Sequence, residues 1–293
     1  MNMKKTILST LLFLGVCSAQ AQEQKGTTEY VFNPHWYVQV QPIGMQYTLG
    51  EVDFGDLTSF NVQAALGYNF NKVVGARLAV NAWQSKAGIE VDKFKQTWGW
   101  SYFAPSIDAT FNLSNLICGV NPNRVFNLSA FIGVGANFAS GNDDAMKAEA
   151  NLVNYLTTTP GYAFDGNQNM QYLWDGSKTN IFGQAGLIGD IRLNERLALS
   201  LEVNANTLSD KYNSKKAGNA DWYFNALVGL KINLGKSYNK VLPPPPAPEP
   251  APEPVVEPEP VVEAAPIVEE VKVEPIRRDI FFQINKTVIQ ESE

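Results

Sequence analysis

The chain has no long apolar run. Beyond its first 22 positions no stretch reaches the roughly 18 continuous apolar residues that a membrane-crossing helix needs, although 45% of its 293 residues are hydrophobic. If it crosses a membrane, it does so with strands. Histidine is nearly missing. The one instance, His35, leaves no Ser–His or Cys–His pairing in any local motif, and no G-x-S-x-G or comparable signature is present. Cysteine is equally scarce, with only Cys17 and Cys118. Removal of a leader that contains Cys17 would leave Cys118 alone, so no disulfide framework is expected and Cys118 reads as a small apolar residue in a turn. Basic clusters are also lacking. Residues 22–239 carry 18 acidic and 16 basic side chains, which gives no footprint for nucleic acid.

The first 21 residues read as a secretory signal peptide. Lys4 and Lys5 precede a short apolar stretch from Ile7 to Val16, and Ala19-Gln20-Ala21 forms a small-x-small cleavage site. Leu14-Gly15-Val16-Cys17 approaches a lipoprotein box but has Val where a small residue is required. Residues 22–35 then form an N-terminal segment ahead of the first strand.

From 36 to 235 the sequence alternates. Phe60, Val62, Ala64, Leu66, Tyr68 and Phe70 are apolar, and Asn61, Gln63, Ala65, Gly67 and Asn69 between them are polar or tiny. A strand sends successive side chains to opposite faces, so this segment has one greasy face and one wet one. The pattern recurs in eight segments of about ten residues or more, beginning near Trp36, Phe60, Val73, Thr97, Val125, Thr179, Leu197 and Trp222. This length suits a strand crossing a bilayer at a tilt, and the even count suits a closed barrel. The fold class expected is all-β, an eight-stranded antiparallel transmembrane β-barrel followed by a disordered Pro/Glu-rich linker. In the first strand the apolar phase slips at Gln41-Pro42, which predicts a bulge. Pro105, on the outer face of the fourth, should cost a ladder hydrogen bond.

Asn69 to Lys72 and Asn194 to Arg196 read as tight turns. The connections 49–58, 85–96, 139–178 and 209–221 are long. Short turns face the periplasm in such barrels, so both termini are expected there and the long loops outside. Asn112 to Arg124 is long for a periplasmic turn. In the third outer loop Asp144 to Leu156 predicts a helix with Met146, Ala150 and Val153 on its apolar stripe, packed on the barrel rim. Two aromatic girdles are expected: Trp36, Phe70, Phe111 and Phe126 at the periplasmic boundary, then Tyr47, Phe60, Trp98, Trp100, Phe138, Trp222 and Phe224 at the outer one.

Six ionisable residues lie within the strands: Arg77, Asp108, Asp190, Arg192, Glu202 and Lys231. All have the inward phase, three of each sign, and five lie about three to five residues from their periplasmic strand ends. In a lumen only wide enough for side chains, they predict one layer of ion pairs acting as a plug. A gate for small ions and an acid–base site are the other readings of these residues. Neutralising Arg77 or Glu202 is expected to raise leak. No cofactor or metal is expected. Glu51, Asp53 and Asp56 in the first loop form the one acidic group to consider for a cation, and Lys211, Lys215 and Lys216 in the fourth loop are suited to lipopolysaccharide phosphates.

Residues 240–275 hold 12 Pro and 8 Glu and read as an extended spacer. After it comes Arg277-Arg278-Asp279-Ile280-Phe281-Phe282-Gln283-Ile284-Asn285. The signal peptide, the eight alternating strands, the Pro-rich linker and this segment together resemble the OmpA family, particularly its Bacteroides-group forms. The resemblance implies a non-enzymatic envelope protein integral to the outer membrane. Its partners would be outer-membrane lipid and lipopolysaccharide, and it would act as a monomer or weak oligomer. It also implies a carboxy-terminal domain that binds peptidoglycan, of which residues 276–293 supply only the first strand. The Asp and Arg of that family's pocket have no counterpart before Glu293, so a peptidoglycan tether is implied only through a domain missing from this chain. A small passive porin and a surface adhesin acting through the third outer loop are the alternative functions.

Overall fold

A computed structural model of the chain describes residues 29–162 and 170–241. The predicted leader, the linker beyond Val241 and the segment 276–293 lie outside the described residues. The strands are β1 (Glu29–Phe32), β2 (His35–Thr48), β3 (Thr58–Asn69), β4 (Val74–Val91), β5 (Phe94–Asn112), β6 (Phe126–Ser140), β7 (Ser177–Arg192), β8 (Leu197–Leu208), β9 (Asp221–Asn233) and β10 (Tyr238–Val241). Helix α1 (Leu113–Cys118) precedes β6 and helix α2 (Asp143–Thr158) follows it.

Strands β2 to β9 form a closed antiparallel barrel in which β9 returns to pair with β2. Closure follows from the alternation. An open sheet with one apolar face would leave two edges of unpaired N–H and C=O groups, which lipid cannot satisfy. The outward residues form an apolar belt: Leu78, Ile132 and Ile181 are 58%, 61% and 81% exposed. Inward residues between them are buried, among them Gln63, Arg77, Asn81 and Asn225. Outside the barrel β1 and β10 pair as a two-stranded sheet that the alternation did not predict.

The predicted bulge is present. The β2–β9 register shifts between Val40 and Ile43, and Gly229 faces the slip. A Cβ at Gly229 would sit 2.0 Å from the Val40 carbonyl oxygen, so the close approach requires glycine there. Pro105 is accommodated differently. β5 pairs with β6 through Phe103 and again from Ser106 in the same register, while Ala104 and Pro105 form no pair on that side. The missing donor interrupts one ladder and leaves the β4 side intact.

At one end the turns are tight and built alike. The Asn71 side-chain oxygen accepts from the Val73 and Val74 amides, and Asn194 accepts from Arg196 and Leu197. At this same end the long 112–124 connection contains α1, whose first turn is capped by the Asn112 side chain accepting from the Asn115 amide at 2.8 Å. Cys118 ends α1, and Cys17 lies outside the described residues.

At the other end one predicted loop is absent. Residues 85–96, expected as a loop, continue β4 and β5 as a hairpin paired from Val74–Phe111 to Val91–Phe94. Its turn is Asp92-Lys93, with Asp92 at φ +52°. The Ser, Lys, Gly and Glu residues that suggested a loop occupy strand positions, while Ser85, Ala87 and Ile89 hold the inward phase. Trp83 departs from its phase. Its ladder partner Tyr102 is buried in the lumen, yet a φ of +132° turns Trp83 outward, 55% exposed, edge-on to Phe60. This strained backbone adds a girdle aromatic that period-2 reasoning assigns to the wrong face.

The lipid-facing belt sets an expected outcome. Leu78→Arg, on the exposed apolar face of β4, should destabilise the barrel by about 2–4 kcal/mol in urea unfolding from lipid vesicles. An unchanged urea midpoint would place that face in water.

Candidate functional site

The lumen layer is built around Arg77, whose side chain is fully buried. Its Nε donates to Asp108 Oδ2 at 2.8 Å, and Nη1 and Nη2 donate to Glu202 at 2.7 and 3.1 Å. Nη1 also donates to Gln39 Oε1 at 3.2 Å, and the guanidinium lies 4.3 Å from the Phe131 ring centroid. Arg77 and Asp108 are ladder partners on adjacent strands, whereas Glu202 reaches across from β8. The fork geometry of a guanidinium holds both carboxylates at once. Space for the Asp108 carboxylate comes from Gly133 on β6, where a Cβ would lie 2.0 Å from Asp108 Oδ1.

A second pair lies nearer the tight-turn end. Lys231 Nζ donates to Asp190 Oδ2 at 2.8 Å and sits 4.3 Å from the Tyr37 ring centroid. Gln39 and Ser200 join the two groups: Gln39 Nε2 donates to Ser200 Oγ at 3.0 Å, and Ser200 Oγ donates to Asp190 Oδ1 at 2.8 Å.

The structure thus brings together five of the six predicted residues. Arg192 does not join them. It lies at the end of β7, half-buried, and donates to the Pro122 carbonyl in the connection that holds α1. Its inward phase was legible, but its position one residue from the strand end puts it against that connection instead of across the lumen. The balance expected as three to three is therefore two cations to three carboxylates. The surplus negative charge is met by neutral donors: Gln63 and Asn204 on Glu202, Gln184 on Asp108, and Ser200 on Asp190.

The end of the barrel that carries the long loops is closed by a different material. Trp98 and Trp100, expected in the outer girdle, are 3% and 2% exposed and point into the mouth in phase with Tyr102. Trp100 stacks edge-on with Tyr212 and Trp174. Together with Tyr223, Met170, Leu208 and Leu152 of α2 they form an apolar core. Helix α2 is present as predicted, but its buried face is Ala145, Ala148, Glu149 and Leu152. Met146, expected on that face, is 45% exposed. Both Glu149 carboxylate oxygens are buried without a hydrogen-bond partner among the described residues, and burial pushes this carboxyl above its ordinary value.

The two loop groups behave differently from expectation. Asp53 and Asp56 both accept from Lys95, at 2.6 and 2.8 Å, and the hydrogen bond to Lys95 holds Asp53 below its ordinary pKa. A lysine therefore occupies the place considered for a cation, and Glu51 turns instead toward Lys215. Lys215, considered for lipopolysaccharide, is 7% exposed and donates to the Gly88 carbonyl at 2.9 Å. Lys211 and Lys216 remain exposed.

At the tight-turn end lies an open cavity of about 410 Å³. Its floor includes Tyr37, Asp190 and Lys231, and its rim includes residues of β1, β10 and the connection holding α1. The wet-face alternation gave no sign of it, because β1 and β10 are too short to show a period.

No family model and no curated protein matches the sequence. Solved structures similar to it in fold include Neisserial surface protein A (9% identity, 68% of this chain and 98% of that chain, TM-score 0.41). Others are the N-terminal β-barrel domain of Pseudomonas aeruginosa OprF (9%, 69% and 98%, 0.38) and the Yersinia pestis attachment invasion protein Ail (11%, 69% and 97%, 0.36), solved with a heparin analogue. The apolar belt, the closed eight-stranded ladder and the polar lumen define the class independently: a small β-barrel of the outer-membrane type.

Two outcomes follow from this geometry. Arg77→Met should destabilise the barrel by about 3–5 kcal/mol, because it strands two buried carboxylates. Adding Asp108→Leu and Glu202→Leu should restore most of that loss in urea unfolding; a triple variant as weak as the single one contradicts the triad. For Glu149, a raised native pKa means that the folded state binds its proton more tightly than the unfolded chain. The contribution is fully present below the ordinary value of about 4.5 and lost as pH rises through the native value. Amides of α2 should exchange more slowly at pH 4 than at pH 7 after correction for intrinsic rates, and Glu149→Gln should abolish the difference.

Proposed function

We propose that this protein is a non-enzymatic structural barrel of the outer membrane, of OmpA-like type, sealed to solute flow. The observation that carries the reading is closure at two depths: an ion-pair layer in the lumen and, above it, an apolar core built by the long loops. The tight turns face the periplasm with both termini, and the hairpin and α2 face outside. The tail beyond Val241 is a periplasmic spacer, and it tethers to peptidoglycan where the carboxy-terminal domain is complete. Outer-membrane lipid and lipopolysaccharide are the partners of the belt and of the exposed Lys211 and Lys216. Catalysis has little support, because the buried carboxylates are held by Arg77 and Lys231 and the apolar core stands between them and the outside.

Two barriers in series predict a pattern that one barrier does not. The wild-type chain in planar bilayers should show no steady conductance. Arg77→Ala with Glu202→Ala should leave it nearly closed, since the outer core still blocks the path. Trp100→Ala with Tyr212→Ala should do the same, and the four changes together should open it. This revises the simpler expectation that neutralising Arg77 or Glu202 alone raises leak. Large steady wild-type conductance would overturn the sealed reading in favour of a passive porin.

A further inference from the structure

Helix α1 stands where β5 would have continued. The β5–β6 ladder ends at the pair Asn112–Ser129, yet β6 already begins at Phe126. On the edge left without a strand partner, the Leu128 amide donates to Ser114 Oγ of α1 at 2.9 Å. The helix thus takes over from a strand in the barrel wall, and a wall has two sides.

The residues of α1 divide between those sides. Leu113, Leu116 and Ile117 stand at i, i+3 and i+4 and share one face of the helix, while Asn115 stands across from them. The polar face is engaged by the barrel end. Asn115 Nδ2 donates to the Lys72 carbonyl at 2.7 Å, and its Oδ1 accepts from Arg124 at 3.0 Å. Asn112 and Asn115 both line the cavity, so this face is turned to the lumen. On the opposite face Leu116 and Ile117 are 63% and 60% exposed. The helix carries no charged residue that would favour water there.

Continuity with the belt says what covers that face. Phe111, the outward residue just before the cap Asn112, is exposed in the belt, as are Phe70 and Leu193 at the same end. Leu116 and Ile117 prolong this apolar rim at the level where girdle side chains meet headgroups. The ends of α1 are satisfied, as such a position demands: Asn112 caps the first turn, and Arg124 donates to the Gly119 carbonyl at 2.7 Å.

We propose that α1 is a membrane-contact element. It lies at the boundary of acyl chains and headgroups, with Leu113, Leu116 and Ile117 toward the lipid and Asn115 toward the lumen. The 112–124 connection, longer than chain reversal requires, carries the lipid-facing surface past the end of β5. The inference rests on the belt facing lipid; it depends neither on which side the tight turns face nor on a sealed lumen.

The test uses the full chain, perdeuterated except at Ile methyls, in phosphatidylcholine nanodiscs wide enough for two barrels. Nuclear Overhauser contacts to acyl methylenes are compared at Ile107 in the belt, Ile188 buried on the inward face of β7, and Ile117. Loss of a signal in Ile117→Val identifies that residue. Its acyl contacts should come within about threefold of those of Ile107 in intensity, as for a side chain at the acyl–headgroup boundary, and Ile188 should show none. Contacts of Ile117 with water and none with acyl chains would overturn the proposal. So would contacts of Ile117 with a second copy of the chain labelled at Leu and Val methyls. Loss of acyl contacts at Ile107 as well would sink the belt itself, whereas loss at Ile117 alone sinks only the role of α1.

Discussion

Hydrocarbon offers nothing to a backbone N–H or C=O, and each one left unpaired there costs several kcal/mol. The barrel is arranged around that constraint. Eight strands close so that no edge remains, and departures from a regular ladder are confined to places that can absorb them. The bulge at Val40–Ile43 is met by Gly229, and the donor missing at Pro105 opens a gap on one side only. Even Trp83, with its strained φ, keeps its ladder partners while its side chain turns to the belt.

Closing a sheet with one apolar face outward leaves polar side chains facing one another in a space that admits few others. Charges buried there must be paired or they lose more than they contribute. Arg77 answers this with four hydrogen bonds and an aromatic face, and Lys231 with Asp190 and the Tyr37 ring. The layer carries one more carboxylate than cation, so amides and a hydroxyl complete the shell. Gly133 shows how tightly this is drawn, because even a methyl group would occupy the site of the Asp108 carboxylate. The long-loop mouth uses burial of aromatics instead of charge. Its position above the belt gives the loops an independent reason to be ordered, since Trp100, Tyr212 and Leu152 come from three separate segments of the chain.

Much of this was legible in the alternation. The number of barrel strands, the slip at Gln41-Pro42, the inward phase of all six charged residues and the helix after Ser140 follow from period and residue type. The errors have a shared cause. Trp98 and Trp100 were assigned to the girdle because aromatics at strand ends belong there in general, although their own phase matches the inward Tyr102. Residues 85–96 read as a loop because charged and polar residues outnumber apolar ones there, and a hairpin beyond the apolar belt needs no apolar outer face. The stripe of α2 was placed one residue off because which face of a helix is buried depends on what it lands on, here β5 and the aromatic core.

Sequence by itself determined the local choices: period 2 fixed each strand, its inward and outward faces and the exclusion of charge from the belt, because those depend only on neighbouring residues and the solvent each face meets. Tertiary structure decided which distant residues share a space. It joined Arg77 to Glu202 across the lumen, drew Arg192 aside to Pro122, buried Lys215 under the hairpin, and gathered β1, β10 and the α1 connection around one positively charged mouth. Those outcomes turn on barrel closure and relative strand height, and no window of sequence contains either.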